Sequence, residues 1–241
     1  MAVSNVSATQ ARTVYASAGG STLRGRAAAA NGNVVNTSAT GLLLTYFIHT
    51  GIGIYVNYRS FLNFDLSSLS GTVTAVSLTL TRMTSHNFAD QFVLASEAGN
   101  DVATSDYLDG IVGASSYPFT SSATKFTDSA DTLSDGGGDG DTFTINLNAA
   151  AVSHANAVIG TSNRFKCALV NTHDFLDTYD ADDDGFSSAL SAQGAQVSST
   201  DVSDSSEYPI LNVTTSDAVT PVAVKLKNAQ LKLKGGKLII K

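Results

Sequence analysis

The sequence predicts an all-β protein that forms one antiparallel β-sandwich and carries a short β-hairpin extension at its C-terminal end. The first reason is a sustained alternation of apolar and polar residues, which is the period of a half-buried strand. The second is the abundance of Ser, Thr, Asn, Asp and Gly between those stretches, which is typical of short strands joined by turns. The third is length, because 241 residues suit one large β domain with a sizeable core.

The clearest alternation lies between residues 58 and 82. Its second half alternates Val76, Leu78 and Leu80 with Ser and Thr, and its first half predicts a shorter strand followed by a polar turn. Because antiparallel sheets commonly have one packed face and one wet face, we expect a sheet of that kind. The inward side chains of this and later strands should share one core: Phe64, Leu78, Leu80, Phe143, Ile145, Leu169 and Leu211.

The remaining elements are taken in chain order. Residues 1–12 are polar and predict an arm, and residues 13–16 predict a first strand. Residues 41–58 are apolar but interrupted by glycines, which favours a hairpin over a buried helix. Asn148 is a common cap residue and predicts a helix over Ala149–Val158. Further strands are predicted at residues 91–95, 142–147, 165–171 and 208–214, with long loops over 97–142 and 172–207.

Two pieces of the chain together resemble a known family. The first piece comprises Arg59, Leu62, Phe64, Asp65, Leu66, Ser67, Ser68, Leu69, Gly71, Val76, Leu78 and Leu80. The second is the closing run from Glu207 to Thr214. This pattern is similar to that of the DNRLRE-type domain, a β-sandwich of jelly-roll type related to carbohydrate-binding modules. The resemblance spans roughly residues 10–216 and implies a jelly-roll-like scaffold, which serves many functions.

Charge is distributed unevenly along the chain, whose net charge is −7. Residues 1–216 hold 8 basic and 20 acidic side chains and carry −12, whereas residues 217–241 hold 6 lysines and one acid and carry +5. The acidic body argues against nucleic acid as a partner. No run approaches the 18 apolar residues of a membrane span, which argues against a membrane.

Cys167 is the only cysteine of the chain, so no disulfide forms within it. It lies in an alternating stretch and is expected to face the core as a small apolar residue.

One acidic stretch has the spacing of a calcium loop. Asp180, Asp182 and Asp184 precede Gly185 in the pattern D-x-D-x-D-G, which lets three carboxylates converge on one hard cation. Ser191 stands where an EF-hand has its last acidic ligand, so the prediction is a Ca²⁺ loop on a β-scaffold. The alternative is a solvated acidic turn.

The sequence contains no catalytic pattern of the G-x-S-x-G, H-E-x-x-H or P-loop type, and its four histidines are scattered. We therefore predict that the protein is not an enzyme. Tyr46, Tyr55 and Tyr58 are candidates for stacking on surface glycans, with core packing as the alternative.

The C-terminal segment is predicted to be an attachment element. Its apolar residues alternate with lysines, and Gly235-Gly236 is a two-residue hairpin signal. A lone hairpin is marginally stable in water, so its apolar face is expected to contact another chain, or else the chain's own sandwich. The predicted partner-binding residues are Val222, Val224, Leu226, Leu231, Leu233, Leu238 and Ile240.

These features lead to one expected function and one alternative. The expected function is a structural protein of a virion, such as a phage capsid decoration protein or a tail or fibre protein, with residues 1–216 displayed and residues 217–241 as anchor. Its partners would be other virion proteins or further copies in a homo-oligomer. The first residues lack the basic and apolar parts of a signal peptide, which fits assembly inside a cell. The alternative is a carbohydrate-binding module of a secreted or cell-surface protein.

Overall fold

The computed structural model has an all-β fold, which confirms the predicted fold class. It describes residues 1–19, 28–29, 31–32, 34–36, 42–43, 46–49, 54–84, 91–130, 140–178, 191–193, 196–198, 200, 203–216, 231–234 and 237–240. The strands are β1 Ala2–Gly19, β2 Val34–Asn36, β3 Leu42–Leu43, β4 Tyr46–His49, β5 Ile54–Asp65, β6 Thr72–Thr84, β7 Gln91–Ala95, β8 Thr142–Asn146, β9 Arg164–Asn171, β10 Ser191–Gln193, β11 Gln196–Val197, β12 Ile210–Ser216, β13 Leu231–Lys234 and β14 Lys237–Ile240. The helices are α1 Asp106–Asp109, α2 Ala149–Val158 and α3 Thr172–Leu176, with a 3-10 helix at Ser205–Glu207.

Two sheets contribute to the main core and share strand β1. In the first sheet the strand order is β1–β12–β6–β8. In the second it is β1–β5–β9–β7, with β2 beside β1 and β4 beside β5. Residues 2–7 of β1 pair with β12, residues 8–19 pair with β5, and the register shifts between Ala8 and Gln10. Strand β1 therefore passes from one sheet into the other.

The N-terminal residues are a strand, so the prediction of a polar arm over residues 1–12 is wrong. Strand β1 begins at Ala2 and pairs Val6 with Leu211 of β12. The segment has few large apolar side chains, and its backbone hydrogen bonds come from strands far away in the sequence. That information is absent from a local pattern.

The main core lies between the two sheets and contains the predicted core set. Six of its seven members are at most 1% exposed, and Phe143 packs against them while half-buried. Cys167 belongs to the same core and is fully buried, as predicted, and burial raises the pKa of its thiol.

A second apolar cluster covers the other face of the second sheet. Phe61, Phe92 and Val170 face away from the main core and pack against residues 98–119 and the helix α3 residue Phe175. The expectation of one wet face is therefore wrong for β5, although it holds for the outer side of β6, where Ser77 and Thr79 are half-buried. The reason is the loop between β7 and β8, which folds over this sheet as a third layer.

Helix α2 has the predicted bounds and the predicted cap. The Asn148 side chain accepts hydrogen bonds from the backbone N–H groups of Ala150 and Ala151. Later in the helix, the Asn156 amide exchanges two hydrogen bonds of 2.9 Å with the backbone of Val73. The side chain of Asn156 thus ties the helix to the start of β6.

The two predicted long loops contain short elements. The loop over 97–142 includes helix α1, and the loop over 172–207 includes helix α3, strands β10 and β11 and the 3-10 helix. These elements have two to five residues, too few for a periodic pattern. The predicted hairpin at 41–58 is confirmed by the pairing of β4 with β5. The closing strand is confirmed as β12, which starts after Pro209 and lies centrally between β1 and β6.

Candidate functional site

The C-terminal hairpin forms as predicted across Gly235-Gly236. Strand β13 pairs antiparallel with β14, from Leu231 opposite Ile240 to Lys234 opposite Lys237. Among the strands of the described ranges, β13 and β14 pair only with each other. Of the predicted partner-binding residues, Leu231, Leu233, Leu238 and Ile240 lie on these strands, whereas Val222, Val224 and Leu226 lie outside the described residues.

The first sheet ends at an uncharged edge strand, β8, which pairs with β6 on one side. Leu147 N donates to Val76 O at 3.0 Å, and Asp141 O accepts from Arg82 N at 2.9 Å, so odd-numbered positions direct their backbone groups toward β6. Because backbone groups alternate along a strand, those of Thr142, Thr144 and Asn146 point away from β6. No described strand pairs with this side of β8.

The corresponding edge of the second sheet is covered. Phe126 N donates to Val93 O at 2.7 Å, and Ala95 N donates to Thr124 O at 2.8 Å. Residues 124–126 therefore satisfy the outer side of β7, which is how proteins commonly protect an edge strand. Among the described residues, β8 is therefore an edge strand without a partner strand on its outer side, and it contains neither proline nor charge.

Charged residues of both signs lie near β8, because Arg82 is paired with Asp141 and the Asn148 amide donates to the backbone oxygen of Lys125. Asp141 directly precedes the strand. Beyond its other end, the Asn148 amide donates to the Asp128 carboxylate at 2.9 Å, and Asp128 is exposed.

The other edge of the described part of the first sheet is the outer side of residues 2–7 of β1. Arg164 is a charged side chain near this edge and donates to Thr9 Oγ1. Arg164 is opposite Asp65 in the pairing of β9 with β5, so charges of both signs lie near this edge as well.

A buried ion pair fixes the third layer to the second sheet. Arg59 and Asp174 are both fully buried, and two hydrogen bonds of 2.7 and 2.8 Å join the guanidinium to the carboxylate. Arg59 also donates to Tyr107 O at 2.7 Å, and its guanidinium carbon lies 4.1 Å from the centre of the Tyr107 ring. Asn57 adds hydrogen bonds to both Asp174 and the Tyr107 hydroxyl. This network holds helices α1 and α3 in place.

The electrostatics of Arg59 follow from this geometry. Burial alone would lower the pKa of the guanidinium, but Asp174 and its hydrogen bonds raise it above the ordinary value. The resemblance includes Arg59 without indicating this role. A cation in the middle of a predicted strand was the available signal, because Arg is rarely buried unless it is paired.

A cavity of about 390 Å³ lies beside the C-terminal half of helix α2 and the start of β9. Its two cations are used within the fold: Lys166 Nζ donates to Ala98 O at 2.7 Å, and Arg164 donates to Thr9. Glu97 also lines the cavity. His154 also lines the cavity and lies between the rings of Phe126 and Phe165. Its Nε2 atom is buried and has no hydrogen-bond partner in the described part of the chain. We assign no ligand to this cavity.

The calcium prediction falls outside the described residues, since Asp180, Asp182 and Asp184 lie between positions 179 and 190. Within the described residues, His, Cys, Asp and Glu side chains form no group of three that could hold a metal ion. Calcium binding therefore stays a prediction.

The three tyrosines predicted to stack on glycans lie on the paired strands β4 and β5. Tyr46 of β4 pairs with Asn57, and Tyr55 and Tyr58 lie on β5. Tyr58 is half-buried against Tyr15, with ring centres 5.2 Å apart. Burial and the neighbouring Tyr15 raise the pKa of Tyr58 to about 12. The glycan role of the three tyrosines stays a prediction.

No known protein family matches the chain, and no curated protein is similar to it. No helix in the described ranges has the length and apolar character needed to cross a membrane.

Proposed function

We propose that this chain is a non-enzymatic structural protein of a virion, such as a capsid decoration protein or a tail or fibre protein. It displays its β-sandwich outward and is anchored in the particle through its terminal segments. The observation that carries the proposal is the placement of the start of β1 and the end of β12 side by side at one end of the first sheet. Ala2 pairs with Thr215, and β12 leads directly into residues 217–241.

This placement supports attachment from one side. A domain whose N-terminal and C-terminal segments leave from the same end can be fixed there while its remaining surface faces solvent. The basic hairpin then supplies the contact, since a two-stranded sheet needs further packing to be stable. The opposite charges of tail and body favour contact with an acidic subunit surface and disfavour wrong partners.

The composition of the core supports the display role. Among the described side chains, all members of the two apolar clusters precede position 217. The Arg59–Asp174 pair lies within the same body. A truncated body is therefore expected to fold.

Deletion of residues 217–241 tests the proposal. The truncated protein should keep the thermal unfolding profile of the body and lose co-sedimentation with particles purified from a producing culture. A full-length variant with Lys232, Lys234 and Lys237 changed to Glu should lose it too, because the charge of the attachment segment is reversed. A truncated protein that still co-sediments with particles would contradict the proposal.

A further inference from the structure

Asn63 and Lys166 lie directly opposite each other where β5 pairs with β9. The backbone oxygen of Asn63 accepts a hydrogen bond from Thr9 Oγ1, and that of Lys166 accepts one from Ser96 N at 3.2 Å. Both oxygens therefore point away from the opposite residue, as in a non-hydrogen-bonded pair. In such an antiparallel pair the Cα atoms are about 4.5 Å apart and the side chains lie closest together.

The two side chains also converge on one short segment of the chain. Lys166 Nζ donates to Ala98 O at 2.7 Å, and Asn63 Nδ2 donates to Gly99 O at 3.2 Å. Because Ala98 and Gly99 are consecutive residues, these contacts hold the amine close to the amide. Asn63 is buried and Lys166 is half-buried, so the pair is shielded from much of the solvent.

The Asn63 amide is only partly hydrogen-bonded. Its Nδ2 donates to Gln10 Oε1 at 2.9 Å and to Gly99 O. Since the Gly99 oxygen can only accept, this contact fixes the orientation of the amide. The Oδ1 atom is buried and has no partner among the described residues, which is rare for a carbonyl oxygen in a folded protein. A buried acyl group with an unpaired oxygen thus lies beside a primary amine.

We propose that Lys166 and Asn63 become joined by an intramolecular isopeptide bond. The neutral Lys166 amine attacks the side-chain carbonyl carbon of Asn63. A bond forms between Nζ and Cγ, and the bond between Cγ and Nδ2 breaks. Nδ2 takes the proton that the attacking nitrogen gives up and leaves as ammonia. One amide replaces another, so the step needs no oxidant, reductant or further reactant.

Glu97 is the acidic side chain that can handle the remaining proton. It directly precedes Ala98, whose carbonyl holds the amine, and it lines the same cavity as Lys166. Its carboxylate can take the extra proton of the lysine ammonium, which frees the electron pair for attack, and can return it to the departing ammonia. The product amide keeps one N–H that can still donate to Ala98 O.

The bond joins two neighbouring strands of the second sheet covalently. It closes the chain between positions 63 and 166, which restricts the unfolded state as a disulfide would. The inference is independent of the proposed function, because both residues belong to the body and neither belongs to the attachment segment 217–241.

Mass spectrometry of the full-length chain tests the bond. The denatured wild type should be lighter than its sequence by one ammonia. Trypsin should release residues 60–82 joined to residues 165–225, because an acylated Lys166 is no longer a cleavage site. Lys166→Arg keeps a cation that can donate to Ala98 but removes the nucleophile. Its mass should equal the sequence mass, and its melting temperature should be lower than that of the wild type. Lys125→Arg, at an exposed position, is the matched control and should still lose one ammonia.

Two further variants test the chemistry. Asn63→Asp should lose one water in place of one ammonia, because the leaving group is then an oxygen. Glu97→Gln should form the cross-linked peptide more slowly than the wild type after refolding from urea, since the carboxylate that accepts the proton is gone. Equal rates in the two proteins would exclude this role for Glu97.

Two results would overturn the inference. The first is a wild type with its full sequence mass, from which trypsin releases residues 60–82 and 165–166 as separate peptides. The second is a loss of ammonia that persists in Lys166→Arg, because it would come from cyclisation of an asparagine elsewhere. The peptide map of the wild type decides between bond and no bond even if a variant fails to fold.

Discussion

The Arg59–Asp174 pair illustrates the energetic balance at the scale of single residues. Both groups are removed from water, which is unfavourable, and the bidentate geometry with hydrogen bonds from Asn57 offsets that loss. Such a pair contributes little net stability compared with apolar residues of the same shape. The pair does favour one arrangement of the covering layer in free energy over the others, because a misplaced layer would leave a buried charge unpaired.

Replacing Arg59 by Met should lower the free energy of unfolding by about 3–5 kcal/mol, because Asp174 is left buried without a counter-charge. Urea unfolding measures this loss. Lys125→Met, at an exposed position, is the control and should change stability by no more than about 0.5 kcal/mol. The double variant Arg59→Met with Asp174→Leu should recover part of the loss. A single Arg59→Met variant as stable as the control would show that the pair is not buried.

His154 should make the protein sensitive to acid. Burial, and secondly Lys166, lower the pKa of His154 below its ordinary value. Below about pH 6.5 the unfolded chain therefore binds a proton that the folded chain resists, so stability falls as the pH falls through that region. His154→Gln should reduce the loss of unfolding free energy between about pH 7 and about pH 5. The exposed neighbour variant Ser153→Ala should keep the wild-type loss, and equal losses in all three proteins would contradict the prediction.

At the scale of elements, the sequence predicts those whose pattern is local. Helix α2 has its cap at Asn148, and β6 has a long alternation, so both were predictable. Strand β1 was not, because its partners β12 and β5 are remote in sequence. The burial of both faces of β5 was also not predictable from the sequence. Asn63 has the polar side chain expected of a solvent-facing residue, yet it is 1% exposed. Its amide is held by Gln10 and Gly99.

Leu78→Ala tests the facing of β6. Leu78 is fully buried in the main core, so the truncation should cost about 2–5 kcal/mol of unfolding free energy, measured by urea denaturation. Thr79→Ser, on the opposite face, is the matched control and should change stability by about 0.5 kcal/mol or less. Similar effects of the two substitutions would show that the facing is wrong.

At the scale of the whole molecule, the sequence predicts the fold class better than the site. The all-β antiparallel fold follows from period-two patterns and turn residues. The location of an open edge depends on which strand lacks a partner, and that is decided by contacts such as those of residues 124–126 with β7. No local pattern in the Thr142–Asn146 segment indicates that it lies at an open edge.

Calcium should raise the stability of the whole fold if the loop of Asp180, Asp182 and Asp184 binds it. At a hundredfold excess over its dissociation constant, a bound ion stabilises by about 2.7 kcal/mol. The melting temperature should therefore be higher in excess calcium than in excess chelator, with magnesium at equal ionic strength as the control. Asp182→Asn should diminish the difference. Equal melting temperatures of the wild type in calcium and chelator would count against the site.

The sharing of β1 between the two sheets has a consequence for biosynthesis. Ala2 is made long before Thr215, with which it pairs, so the first sheet cannot close until β12 has emerged from the ribosome. The long sequence separation also makes this closure entropically slow compared with local hairpins such as β4–β5. Residues 8–19 of β1 can pair with β5 early, whereas residues 2–7 wait without their partner until β12 is made and become ordered late.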